Sequence, residues 1–218
     1  MTTVLETAST TETWPRPTLL EDAQILRRDA RTLRKAIRRS VSTSPEAFLK
    51  TIDDVNALSI EYLEKDIREA AWVVIQKGKE VVGIAVSRRP HREMDRDIDP
   101  EGARFIESVW IAPGLRGKQM GERLVRFLFE VECEKNPKIK QFFLWVFEEN
   151  HRAIRLYDRM KFVDTKVRQK CNVVGRTEIK YRLTLDTAVA KATETATNEA
   201  ARRDDANKYG VTYRVLGA

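Results

Sequence analysis

Apolar positions recur at helical spacing in the first third of the chain and gather into short blocks after it. From about Leu20 to Arg39, Ile25, Leu26, Leu33 and Ile37 form one stripe on a helix that is otherwise dominated by arginine. Ser44-Pro45-Glu46 reads as the start of a second helix, with Ser44 as N-cap and Pro45 at the first helical position. Phe48, Leu49, Ile52 and Val55 continue it at helical spacing, and more helix is expected over Ile60–Glu69. The period then changes. Ala71–Ile75 and Val81–Val86 are apolar strands, joined by the turn Gln76–Glu80 into a hairpin. Residues 88–103 hold Pro90, Pro100, Gly102 and many charges, which predicts a loop.

Phe105–Ile111 is a third strand, and a helix over about 117–135 follows with Met120, Leu124, Phe127, Leu128 and Val131 on one face. Gln141–Phe147 is a strand, Asn150–Met160 a short helix, and Phe162–Gln169 and Thr177–Leu185 are strands. The strand–helix–strand unit over 105–147 implies a parallel pair. The expected fold is therefore α/β (α+β): a mixed, mostly antiparallel central sheet with one parallel strand pair and helices on both faces. Residues 14–185 are expected to form one domain. Residues 1–13, rich in Thr, Ser and Glu, are expected to be disordered, and Trp14-Pro15-Arg16-Pro17 to be extended at best. Residues 186–218 could hold a weak helix near 188–203 and a short strand on Val211, Tyr213 and Val215, or form a flexible tail.

Composition narrows the class. The 218 residues are 42% apolar and 33% charged, a balance typical of a globular protein with a charged surface. The net charge of +7 suits either solubility or an anionic ligand or partner. Cys133 and Cys171 are far apart and match no metal spacing, so no metal and no disulfide framework are expected. No apolar run approaches the roughly 18 residues of a membrane span. The polar N-terminus lacks the apolar core of a secretory signal, so a cytoplasmic location is expected.

The chemistry concentrates at Ser108–Val125. A β-branched strand ends at Ala112-Pro113-Gly114, and Arg116-Gly117-Lys118-Gln119-Met120-Gly121 opens a helix. A helix N-terminus exposes unpaired N–H groups and about half a positive charge, and glycines let a ligand approach the backbone. Arg116 and Lys118 add mobile positive charge, so the turn suits a pyrophosphate. It also fits an ordinary strand–turn–helix with a basic corner. A second element, Leu144–Asn150 followed by His151–Phe162, stands in the same context.

Together these segments resemble the GNAT N-acetyltransferase superfamily. Its acetyl-CoA motif, Arg or Gln, two residues, Gly, one residue, Gly or Ala, matches Arg116 to Gly121; its second signature matches Asn150, Ala153, Tyr157 and Lys161-Phe162. Ser44–Phe48 and the 71–86 hairpin are also similar to the N-terminal half of many bacterial members, so the resemblance covers about residues 14–185. Gln119 stands where the family usually has Gly. Lys161 replaces the Gly that ends the helix; if left-handed, it costs roughly 1 kcal/mol there.

The resemblance implies direct acetyl transfer from acetyl-CoA, as co-substrate and without a metal, to a primary amine of a small molecule or protein. It places the acyl arm along Val109, Trp110 and Ile111, with Val109 and Ile111 as backbone partners. It places the pyrophosphate on Arg116, Gly117, Lys118, Gln119, Met120 and Gly121. Asn150 either caps its helix or bonds the pantetheine arm. Tyr157 is the candidate general acid for the leaving thiolate, against a plain amphipathic core role. Glu107 shares strand parity with Val109 and Ile111 and is the candidate base, against a salt bridge to neighbouring arginines. Trp145 either lines the acceptor pocket or packs in the core. Surface roles are expected for His91 and His151. The loop 88–103 is expected to border the acceptor site. A degenerate domain that senses acyl-CoA or scaffolds a partner is the alternative, with Gln119 as its support. A nucleic-acid role for the Arg-rich first helix is disfavoured, because no exposed aromatics interleave its charges. Dimers are frequent in the superfamily, so a homodimer is compatible with the resemblance.

Overall fold

The computed structural model describes residues 19–93, 95–171, 175–185 and 188–217. The expected N-terminal disorder and the extended Trp14–Pro17 segment lie outside these residues. Helix α1, Leu19–Thr43, carries the predicted stripe, with Leu33 fully buried on it. The second helix differs from expectation. Pro45–Ala47 is a single 3-10 turn, and Ser44 makes no side-chain cap. Helix α2, Ile52–Ala57, begins instead at Thr51, whose side chain accepts from the Asp54 N–H while the Asp54 carboxylate accepts from the Thr51 N–H. That reciprocal capping box stabilises a start at Thr51. Helix α3, Ile60–Glu69, is capped by Ser59.

The strands are β1 (Ala71–Lys77), β2 (Glu80–Arg88), β3 (Ala103–Ile111), β4 (Gln141–Phe147), β5 (Val163–Lys170), β6 (Thr177–Thr184) and β7 (Val211–Val215). The remaining helices are α4 (Met120–Lys135), α5 (His151–Arg159) and α6 (Ala188–Tyr209). All seven strands form one sheet in the order β5-β6-β4-β3-β2-β1-β7, with β3–β4 as its one parallel pair. The last strand comes from beyond residue 185: β7 pairs antiparallel with β1, from Val73↔Val215 to Lys77↔Val211. Helix α6 packs against α4, so this C-terminal segment adds both an edge strand and a helix to the fold.

Two apolar layers flank the sheet. On one side α4 buries Leu124 and Leu128, with Ile75 and Phe142 among the fully buried side chains of the core. On the other, Trp72 Nε1 donates to Asp66 of α3 and Trp110 Nε1 donates to Thr43 of α1. These bonds satisfy two indole N–H groups while their rings fill the interior.

One irregularity shapes the functional region. Val86 pairs with Glu107 and Ile84 with Trp110, so two steps along β2 oppose three along β3. The extra residue is absorbed near Ser108, which sits left-handed at φ 55. Such a bulge reverses the alternation of faces beyond it. The β3–β4 pairing also stops at Ile106↔Leu144. Past that point the two strands pair only with their outer neighbours, β2 and β6, and the sheet opens between them.

Candidate active site

A cavity of about 740 Å³ lies beside this opening. Val109, Trp110 and Ile111 of β3 form one wall, Leu115 to Glu122 another, and Asn150 with α5 the third, with Ser44, Glu46 and Ala47 closing it. Of the cofactor-binding residues expected from the sequence, Val109, Trp110, Ile111, Arg116, Gly117, Gln119, Met120, Gly121 and Asn150 all border it. Lys118 lies in the same turn but outside the wall.

The turn into α4 presents backbone donors rather than free basic side chains. Gly117 (φ 78) and Gln119 (φ 61) are both left-handed. The chain therefore coils so that the backbone N–H groups from Gly117 to Glu122 find no acceptor among the described residues. Successive unpaired N–H groups at a helix N-terminus make an anion-binding concavity. Gly121 serves packing. A Cβ there would stand 3.3 Å from Leu156 Cδ2 and 3.7 Å from Ile111 Cγ1, so its absence lets α5 and β3 close on the start of α4.

The two cations of the turn both have partners within the protein, which differs from the free positive charge expected. Arg116 Nε donates to the Ile111 carbonyl (2.9 Å), and its Nη2 donates to Ser44 Oγ (2.5 Å). Ser44 is buried by this contact, a role its expected N-cap position did not suggest. Lys118 Nζ donates to the Gly114 carbonyl (3.2 Å) and lies 4.9 Å from the Tyr209 ring centre on α6. Both side chains hold the turn's shape.

Gln119 is held from outside. Its Oε1 accepts from Arg123 Nη2 (3.2 Å), and Arg123 Nη1 also donates to the Lys118 carbonyl (3.3 Å). Arg123 is itself paired with Asp205 of α6, a fully buried carboxylate that also accepts from the Tyr213 hydroxyl at 2.6 Å. Gln119 thus accepts the strain of a left-handed residue while its side chain is tied to α4 and α6.

Tyr157 lines the cavity from α5 and is almost wholly buried. Burial raises its phenol well above the usual value near 10. Its hydroxyl has no hydrogen-bond partner among the described residues, so it is a protonated donor without a protein acceptor. The end of α5 fixes its position. The Phe162 N–H bonds the Tyr157 carbonyl and the Lys161 N–H the Asp158 carbonyl, each at 3.0 Å. These are the two bonds of a Schellman motif, with Lys161 left-handed at φ 66. Phe162 then packs edge-on against the Tyr157 ring, centroids 5.6 Å apart. Asn150 caps the other end of α5, its Oδ1 accepting from the Ala153 N–H at 3.2 Å.

Glu107 is not on the face expected for it. The bulge at Ser108 breaks the parity with Ile111, so Glu107 lies with Trp110 and Val86 on the side of α1 and α3. Its Oε2 accepts from Arg88 Nε at 3.1 Å, and Arg88 also binds Asp66 through Nη1 and Nη2. Trp145 belongs to a small apolar cluster on that same side with Phe105, Phe143 and Ile98. The Lys180 ammonium caps the cluster, 5.4 Å from the Trp145 ring centre and 3.2 Å from Asp95 Oδ1. Asp95 and Ile98 bring the 88–103 loop over this cluster. His91 and His151 are exposed.

Sequence reasoning passed over the arginines of α5. Arg152, Arg155 and Arg159 all border the cavity, and their shared face was visible in the spacing. No group of three or more His, Cys, Asp and Glu side chains able to hold a metal occurs among the described residues. No helix among them is long and apolar enough to cross a membrane.

Comparison with known proteins supports the fold. No curated protein matches in sequence. Among solved structures, a GNAT-family acetyltransferase from Streptococcus pneumoniae superposes with a TM-score of 0.59 at 16% identity, over 73% of this chain and 95% of that one. The yncA protein of Salmonella typhimurium, solved with acetyl-CoA, gives 0.56 at 19% identity, over 74% and 91%. The aminoglycoside acetyltransferase AAC(6')-Ib, solved with coenzyme A and kanamycin, gives 0.55 at 21% identity, over 72% and 90%. These likenesses carry the fold. The sequence itself matches the Acetyltransferase (GNAT) family over residues 34–162, which is more than half of its length and includes both the α4 turn and α5, and so the chain belongs to the GNAT acetyltransferases.

Proposed function

We propose that the protein is an N-acetyltransferase that moves an acetyl group from acetyl-CoA directly to a primary amine, with the cavity between the α4 turn and α5 as the donor site. The observation that carries this reading is the row of unpaired N–H groups from Gly117 to Glu122, opening on the same cavity as the Tyr157 hydroxyl. The donor supplies an activated acyl group and a thiolate leaving group. The chain's own residues supply the rest. The N–H row and the α4 dipole take the pyrophosphate charge. The Val109–Ile111 wall, on the edge of β3 that has left β4, runs alongside the acyl arm. Tyr157, kept protonated by burial, donates to the departing sulfur.

The acceptor is assigned to the opposite side of the sheet, where Glu107 and Trp145 flank the opening. The attacking amine must be neutral, and Glu107 is the carboxylate on that side beside the bulge. Its Arg88 partner is shared with Asp66, so Glu107 can release Arg88 without leaving that guanidinium unpaired. The degenerate-sensor alternative rested on Gln119 crowding the cradle. Gln119 borders the cavity, and its side-chain bond to Arg123 favours the enzyme over the sensor.

Isothermal titration with acetyl-CoA, together with a thiol-release assay on a panel of small amines, N-terminal peptides and lysine peptides, tests the reading. Binding with turnover on at least one amine is expected. Binding without turnover on any acceptor would favour the sensor, and no binding would remove the donor site.

A further inference from the structure

We infer that Arg152, Arg155 and Arg159 form a phosphomonoester subsite, which makes the donor site selective for a 3′-phosphorylated nucleotide over its dephosphorylated form. The inference rests on the reading of the cavity as the acetyl-CoA site.

The three arginines are three and four residues apart on α5, so they share one side of the helix, while Tyr157 and Met160 are buried on its inner side. All three border the cavity. None of them makes an ion pair, a hydrogen bond or a ring contact among the described residues. Other arginines in this half of the molecule are matched: Arg126 with Glu122, Arg168 with Asp164 and Arg176 with Glu149. The cavity's acidic groups do not answer the three. Glu122 is taken by Arg126, and Glu46 stands alone on the far wall near Arg116. Arg116 registers the excess. Burial first, and then repulsion from Arg152, pull its guanidinium below the usual value.

Like charges gathered at one cavity with no carboxylate paired to them are unfavourable until an anion arrives. The pyrophosphate does not account for them, because the N–H row and the helix dipole already answer it. A phosphomonoester carries about −1.5 to −2 near pH 7 and presents three acceptor oxygens. Guanidinium forks suit such a group geometrically, and an exposed cluster of them keeps the flexibility to close on it. Coenzyme A bears one phosphomonoester, on the ribose 3′ oxygen. Its removal changes nothing at the pyrophosphate, the pantetheine arm or the thioester.

The test compares coenzyme A with 3′-dephospho-coenzyme A by isothermal titration on the full chain, with adenosine 3′,5′-bisphosphate and ADP as smaller probes. At about 0.1 M salt, coenzyme A should bind roughly tenfold or more tighter, and the preference should shrink as salt rises. In the R155A/R159A double variant the ratio should fall towards one. Both positions are exposed, so an unchanged melting temperature shows that the fold is intact. Equal affinity of the wild type for the two compounds, or an undiminished preference in the double variant, overturns the subsite and leaves the donor cavity standing. Failure of the wild type to bind either compound overturns the donor cavity and the subsite with it.

Discussion

Replacing Tyr157 by Phe removes one hydroxyl from the wall of the cavity and leaves the ring. The structure sets the expected size of each effect. The hydroxyl borders the open cavity and has no protein partner among the described residues, so removing it breaks no bond within the fold and leaves no protein group unpaired. The variant should therefore be at least as stable as the wild type. The ring keeps its edge contact with Phe162, so α5 and the cavity keep their shape. What is lost is the proton for the leaving sulfur. General acid catalysis contributes about 10²–10⁴-fold, or roughly 3–5 kcal/mol of barrier. A thiol-release assay at saturating acetyl-CoA should show kcat down by that factor, while titration shows an unchanged donor affinity. The pH profile carries a second check. Burial raises the phenol above its usual value near 10, so its acid form is retained there and is lost only as pH climbs further. The wild-type rate should accordingly show no alkaline decline from this group below about pH 10. A variant kcat within twofold of wild type, or a loss matched by a loss of donor affinity, would refute the assignment.

Other residues give separate checks. Lys161→Gly relieves a left-handed lysine whose side chain is exposed, and should stabilise the protein by about 0.5–1 kcal/mol after the glycine's own entropy cost, a rise of a few degrees in melting temperature; a fall would mean the α5 terminus is not strained. Asp205→Asn weakens a buried acceptor of both Arg123 and Tyr213 and should cost about 2 kcal/mol in thermal or denaturant unfolding. It should also raise KM for acetyl-CoA more than it lowers kcat, because Arg123 loses its hold on Lys118 and Gln119; an unchanged KM would confine Asp205 to stability. Glu107→Gln should lower kcat about 10²-fold or more with donor affinity kept; an unchanged kcat would leave Glu107 as a partner of Arg88 alone.

Much of the sheet was legible because its strands are dense β-branched and aromatic blocks with clear turns between them. Val81–Val86 and Phe105–Ile111 are examples. The cavity walls were legible because the turn after β3 and the start of α5 carry their chemistry in short contiguous motifs. Three features were not legible, each for a physical reason. Strand parity assumes a period of two, and nothing in Glu107-Ser108-Val109 announces the inserted residue that turns Glu107 to the other face. The pairing of β7 with β1 is settled by an open sheet edge more than 130 residues earlier in the chain, whereas Val211–Val215 alone is too short to decide between strand and tail. The fixed state of Arg116 depends on Ser44, whose local sequence reads as a helix cap, and that long-range bond turns an apparent mobile cation into a brace.

In the proposed donor site, the backbone between Gly117 and Glu122 receives the donor's pyrophosphate. Amide NMR of the 15N-labelled protein, titrated with coenzyme A, addresses those six N–H groups directly. Their resonances should move more than any other contiguous stretch and saturate together, with the downfield displacement of amides that gain a charged acceptor. Saturable binding that leaves these six resonances in place would contradict that assignment.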